Sequence, residues 1–152
     1  MAKSALFTED HKIVVAVTTV DGAAGTAAIT SASVDTAGFD GCCFIIPTGP
    51  IVSGAVTTAK VQQADDTSGS PDDFTDLTGS SITIADDDDN QVKYLDVVTP
   101  RKRYLKVVVS RATQNATIGG IIAVLYRART LPVTQPAGTE GETVLGVAEG
   151  TA

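Results

Sequence analysis

Four kinds of side chain here could carry chemistry: a single histidine, two cysteines, clustered aspartates and a short basic run. Nucleophilic catalysis needs a base beside the nucleophile, itself oriented by a third group. His11 is the only candidate base of that kind, and no nucleophile motif surrounds it, so it reads as a strand-edge residue. Cys42 and Cys43 are adjacent. Neighbours in a strand point to opposite faces, so the two cannot readily bond each other or share one metal ion. Neither has a basic neighbour in sequence to lower its pKa. They read as two small apolar residues, at least one of them buried.

Carboxylates gather at Asp65-Asp66, at Asp72-Asp73 with Asp76, and from Asp86 to Asp89. Hard cations take oxygen ligands from such loops, but the spacing lacks the pattern of a calcium-binding EF-hand. Solvated acidic turns are the plain reading, and a weak divalent site is the sharper one. Paired carboxylates also serve glycoside hydrolysis. Sugar sites usually offer aromatic platforms as well. Here tryptophan is absent, and Tyr94, Tyr104 and Tyr126 all fall in predicted strands, where core packing is their expected role. Gly119-Gly120 lacks the spacing of a phosphate cradle. Arg101-Lys102-Arg103 follows a proline turn. It either solvates a hairpin tip or pairs with an acidic patch on a partner, a task that suits the guanidinium fork.

The elements that must position these residues are strands. Val, Ile and Thr favour pleated surfaces, and strong helix formers are scarce. At 152 residues and 43% hydrophobic, the chain suits one domain with a core. A first strand spans Lys12 to Val20, apolar on both faces; a weaker one covers Ala27 to Val34. A very apolar strand, Cys42 to Pro47, is closed by Pro47-Thr48-Gly49-Pro50. Gly54 to Gln63 alternates cleanly, with Ala55, Thr57, Ala59 and Val61 on one face. Ser80–Ala85, Gln91–Val98, Arg103–Arg111 and Thr117–Ala128 follow, and Gly119-Gly120 marks a bulge or a close backbone approach in the last. Turn signals recur between them. The expectation is an all-β, antiparallel β-sandwich of about eight strands, jelly-roll-like, with extended N- and C-terminal segments. Its parts are an arm (1–10), the sandwich (11–129) and a tail (130–152).

The formal charge of −7 disfavours phosphate backbones, so nucleic acid is not an expected partner. No apolar run approaches the ~20 residues of a membrane helix, and Met1-Ala2-Lys3-Ser4 lacks the apolar core of a secretory signal, so the expectation is a cytoplasmic product with no membrane partner.

Several segments taken in order are familiar. Asp35-Thr36-Ala37-Gly38-Phe39-Asp40 leads into an apolar strand. Val61-Gln62-Gln63-Ala64-Asp65-Asp66 is followed by Phe74-Thr75-Asp76-Leu77. Asn90-Gln91-Val92 leads through Tyr94 to Arg103-Tyr104-Leu105-Lys106-Val107-Val108-Val109, and the last strand exits into Arg129-Thr130-Leu131-Pro132-Val133. From Asp35 to Pro132 this order resembles small structural proteins of tailed bacteriophages, encoded among the head genes. The resemblance implies a capsid decoration (cement) protein, bound as homotrimers on the exterior of the shell after assembly in the host cytoplasm. Its partners would then be the major capsid protein and other copies of itself. It implies no catalytic residue and no cofactor, and the chain is expected not to be an enzyme. Other readings are a neck, tail or head-fibre component of the virion, or a carbohydrate- or surface-binding β-module. Candidate partner-contacting residues are Leu6 and Phe7 in the arm, the basic run Arg101, Lys102 and Arg103, and Leu131, Pro132, Val133, Val144 and Leu145 in the tail.

Overall fold

Alternation at a period of two puts the apolar side chains of each strand on one face, and two such faces close on each other. The computed structural model describes residues 6–20, 22–144 and 150. A short helix, α1 (Phe7–Asp10), precedes the strands β1 (Lys12–Val17), β2 (Ile29–Thr30), β3 (Val34–Asp35), β4 (Phe39–Ile51), β5 (Val56–Ala64), β6 (Asp66–Thr67), β7 (Ser70–Pro71), β8 (Thr75–Asp76), β9 (Ile82–Ile84), β10 (Val92–Val98), β11 (Tyr104–Ala112), β12 (Ala116–Ile118) and β13 (Ile121–Ala128). One sheet runs β1-β13-β4-β10, with β12 also on β4. The other runs β2-β11-β5-β8, with β3 on β11 and β9 on β5; β6 and β7 form a separate small hairpin.

Three pairs, β2 with β3, β8 with β9 and β12 with β13, are pieces of one longer run each. Joined, the first run pairs with the last, and successive pairs nest inward to β5 with β8–β9. That is one long antiparallel hairpin rolled on itself, the double-sheet jelly roll. It meets the expectation of an all-β sandwich of about eight strands.

The core lies between the sheets. Cys42, Phe44 and Ile46 of β4, Leu95 and Val97 of β10, and Ile121, Ala123 and Leu125 of β13 face Ala59 and Val61 of β5 and Leu105, Val107 and Val109 of β11. Where β2 gives way to β3 the ladder is patched by a side chain. The N–H of Ser31 donates to Val107 O (2.9 Å), and its hydroxyl accepts from the Val107 N–H (2.9 Å), in place of a backbone carbonyl.

Two expectations are corrected. Pro47 does not close its strand: β4 continues to Ile51, and Pro47 stays in register with Val92. In an antiparallel ladder the N–H and C=O of one residue point the same way. The Pro47 carbonyl accepts from Gly119 N–H (2.8 Å), so its missing donor faces the break between β12 and β13. That break is the bulge expected at Gly119-Gly120, and a Cβ on Gly119 would lie 3.3 Å from the Pro47 side chain. The second correction concerns the tyrosines: Tyr94 is 67% exposed and Tyr126 is half-buried on an outer face, and of the three only Tyr104 is buried.

Candidate interaction surfaces

The groups that could have done chemistry are held in structural work. His11 stacks on Phe7, with ring centroids 4.4 Å apart. The two cysteines take opposite faces, as their adjacency requires: Cys42 is fully buried, and Cys43 points outward and is partly covered. Burial, helped by Cys43 and Asp96, pushes the Cys42 thiol up to about 12. Burial also raises Cys43. Thiols shifted this way are poor nucleophiles.

Most of the clustered aspartates bond within the chain. Asp86 accepts from the Gly54 N–H (2.8 Å), Asp89 from the Ile51 N–H (2.6 Å) and Asp72 from the Asp65 N–H (2.9 Å). Asp88 meets Lys93 (2.7 Å), and Asp76 meets Lys60 (2.6 Å). Among the described residues no group of three or more His, Cys, Asp or Glu side chains is arranged to hold a metal ion.

The basic run lies where the chain crosses from one sheet to the other, between β10 and β11, so it is not a hairpin tip. Arg103 forks onto Asp35 through Nε (2.9 Å) and Nη2 (2.8 Å), and reaches Asp66 through Nη1 (2.7 Å). Lys102 meets Asp65 (2.8 Å), and Arg101 stays exposed. The Arg103 hydrogen bond holds the Asp35 carboxyl below the usual carboxylate range, against a smaller opposing effect of burial. A carboxylate lowered in the folded state stabilises above its unfolded pKa near 4, and that contribution is lost as pH falls through the folded value. Asp35→Asn is therefore expected to unfold at lower urea than the parent at pH 7. The gap should be smaller at about pH 3, below the unfolded pKa. It should be modest throughout, because the pair is partly exposed and screened. Urea midpoints at the two pH values check this; an equal gap at both would mean that the charge contributes nothing.

The two terminal segments come together on the free edge of β1. Val133 N–H donates to Glu9 O (2.8 Å), and Gln135 Nε2 donates to Thr8 O (3.0 Å) and His11 O (2.6 Å). Gln135 Oε1 accepts from Ile13 N–H (3.0 Å), and the Thr139 hydroxyl donates to Ile13 O (3.3 Å). The tail thus covers an edge that would otherwise offer unpaired backbone groups to another chain. Leu6 and Val133 are half-buried in this arrangement, whereas Phe7, Leu131, Pro132 and Val144 are exposed. Leu145 lies outside the described residues. Arg101, Lys102 and Arg103 belong to the separate Asp35–Asp65–Asp66 group, so the candidate contacts divide into two groups.

A further surface was not among those candidates. Register aligns residues across all four strands of the β1-β13-β4-β10 sheet: Val15, Ile122, Ile45 and Tyr94 form one row, and Ile13, Val124, Cys43 and Asp96 the next. Tyr126, Gly41 and Val98 follow on one side, and Pro47 and Val92 on the other. These residues share the outer face, because their strand neighbours fill the core. The Tyr126 ring lies over Gly41, where a Cβ would collide with it. This lets its hydroxyl donate to Asp96 (2.7 Å). Burial and then that bond push the Tyr126 hydroxyl up to about 12. Asp96 is the one formally charged residue among these, so the sheet presents an apolar plane. The signal was present in sequence: β1, β4 and β13 are apolar at successive positions, which reads as burial on both faces.

No family model matches the chain, and no curated protein matches it. Among solved structures it is similar to dimeric latent PorU from Porphyromonas gingivalis, at 9% identity and a TM-score of 0.39, over 82% of this chain and 13% of that one. It is also similar to a structure of the infectious bursal disease virus Gx strain, at 15% identity and a TM-score of 0.37, over 77% of this chain and 32% of that one. The chain therefore spans under a third of either protein, and at these scores neither likeness bears on function.

Proposed function

We propose that this chain is a non-enzymatic structural protein that decorates and stabilises the capsid shell of a tailed bacteriophage. The observation that carries the reading is the apolar outer plane of the β1-β13-β4-β10 sheet, on a jelly roll whose aspartate clusters bond internally. A broad uncharged plane on an acidic protein suits a subunit that adheres rather than reacts. The phage-head assignment itself rests on the ordered segments from Asp35 to Pro132. On this reading the partners are the major capsid protein and other copies of the chain, assembled as a homotrimer on the shell exterior. The arm, sandwich and tail divide near residues 10 and 130. Leu6, Phe7, Leu131, Pro132, Val133, Val144, Leu145 and the Arg101–Arg103 turn contact the shell, and several weak contacts of this kind gain by avidity once the core is docked.

The test is a cryo-EM map of the native virion. Density for this jelly roll at shell symmetry axes, in hundreds of copies, is the expected result. Density only at the portal end would move the chain to the neck or tail, and none anywhere would overturn the virion role.

A further inference from the structure

We propose that the outer face of the β1-β13-β4-β10 sheet packs on the same face of a second copy of this chain, about a two-fold axis that runs along the strands between β13 and β4. The inference names the occupant of the face on which the structural role above rests, and it is tested on the isolated chain.

The shape of the middle row is the first argument. Its ends are unlike: Val15 on β1 is small, and Tyr94 on β10 is large and 67% exposed. Between them lie Ile122, at 38% exposure, and the partly covered Ile45. A two-fold axis along the strands carries β10 of one copy over β1 of the other. Tyr94 then covers Val15 at both ends, and Ile45 meets Ile122 in the middle. A self-complementary patch of this kind is what an isologous contact requires. A partner of unrelated shape would give no reason for large and small residues at opposite ends of one row.

Charge is the second argument. The chain carries −7, so copies repel wherever formal charge is exposed. Of the residues that register places on this plane, only Asp96 is charged. It stands on the edge strand β10, already bonded to the Tyr126 hydroxyl, where a polar rim belongs.

Area is the third. Four strands at their usual spacing and seven residues along β10 make a plane of about 20 by 20 Å. Two such planes together bury about 800 Å², below the ~1,000 Å² that a stable interface clears. The contact is therefore weak and concentration-dependent, with dissociation in the micromolar range or above. Three copies cannot share this face at once, so it joins copies two by two, whatever joins them in threes.

The experiment is sedimentation velocity of the full chain from about 1 µM to 1 mM, with thermal melts to confirm folding. The parent should move from monomer to dimer as concentration rises. Tyr94→Ser and Val15→Arg, both at exposed positions, should each weaken dimerisation at least tenfold. The decisive variant is the exchange. Val15→Tyr alone places ring against ring and should weaken pairing, whereas Val15→Tyr with Tyr94→Val restores large over small and should recover it. A parent that stays monomeric at 1 mM, a dimer indifferent to these changes, or an exchange that fails to recover pairing would each overturn the proposal. A chain that is monomeric in solution yet decorates the shell in the virion would overturn this contact and leave the capsid reading standing.

Discussion

Phe44→Ala is expected to destabilise the fold by about 3–5 kcal/mol, while Tyr94→Ser changes stability by a few tenths of that range at most. Both residues belong to the same sheet, and their positions differ by one step of the pleat. Phe44 is fully buried, in register with Leu95 on one side and Ala123 on the other. One residue further along β4, Ile45 is in register with Tyr94, on the outer face. Removing the Phe44 ring forfeits its transfer free energy and leaves a cavity that two rigid sheets can only partly close. Tyr94 loses surface that is mostly in water already. For a domain of this length the first change should lower the melting temperature by roughly 10 °C. Urea unfolding of both variants checks the contrast. Equal losses would mean that Tyr94 is as deeply buried as Phe44, and the apolar plane would cease to be a surface.

Legibility in sequence followed the reach of each signal. The clean alternation of β5 put Thr57, Ala59 and Val61 on one face, and the structure buries those three. The adjacency of Cys42 and Cys43 was enough to put them on opposite faces, and Gly119-Gly120 marked its bulge. Period alone, however, does not say whether a second apolar face has a cover. Ile13 to Val17 is apolar throughout and reads as doubly buried, yet Val15 is 57% exposed. The outer plane was therefore visible as composition and invisible as surface. Partners distant in sequence were also out of reach: Arg103 bonds Asp35 from 68 residues away, and Gln135 finds Ile13 from 122. Nothing in the sequence of the basic run shows which of the chain's own acids the fold brings to it. Pro47 was misplaced because its penalty depends on which neighbour its nitrogen faces, and that neighbour is set by tertiary pairing.

Gly22→Ala tests a position where backbone meets backbone too closely for a side chain. The segment from Gly22 to Gly25 lies against β12. Gly22 O accepts from the Ile118 N–H (3.0 Å), and Gly25 O accepts from the Ala116 N–H (3.0 Å). A Cβ on Gly22 would run into the carbonyl oxygens of Ile118 and Gly119. Backbone atoms cannot swing aside as a side chain would, so the segment must lift, weakening both hydrogen bonds and uncovering the buried Ala116 and Ile118. The expected cost is about 3 kcal/mol. Gly38→Ala is the matched control. Gly38 has φ +86° and nothing within 4 Å of a Cβ, so only backbone conformation opposes alanine there, at about 1–2 kcal/mol. Urea unfolding should rank Gly22→Ala well below Gly38→Ala, and amide exchange at Ile118 should quicken in the first variant alone. If the ranking reverses, the close approach of residues 22–25 to β12 is not what holds that end of the jelly roll. If it holds, the Gly119-Gly120 bulge gains a second function, since the Gly119 carbonyl is part of the surface on which this segment rests.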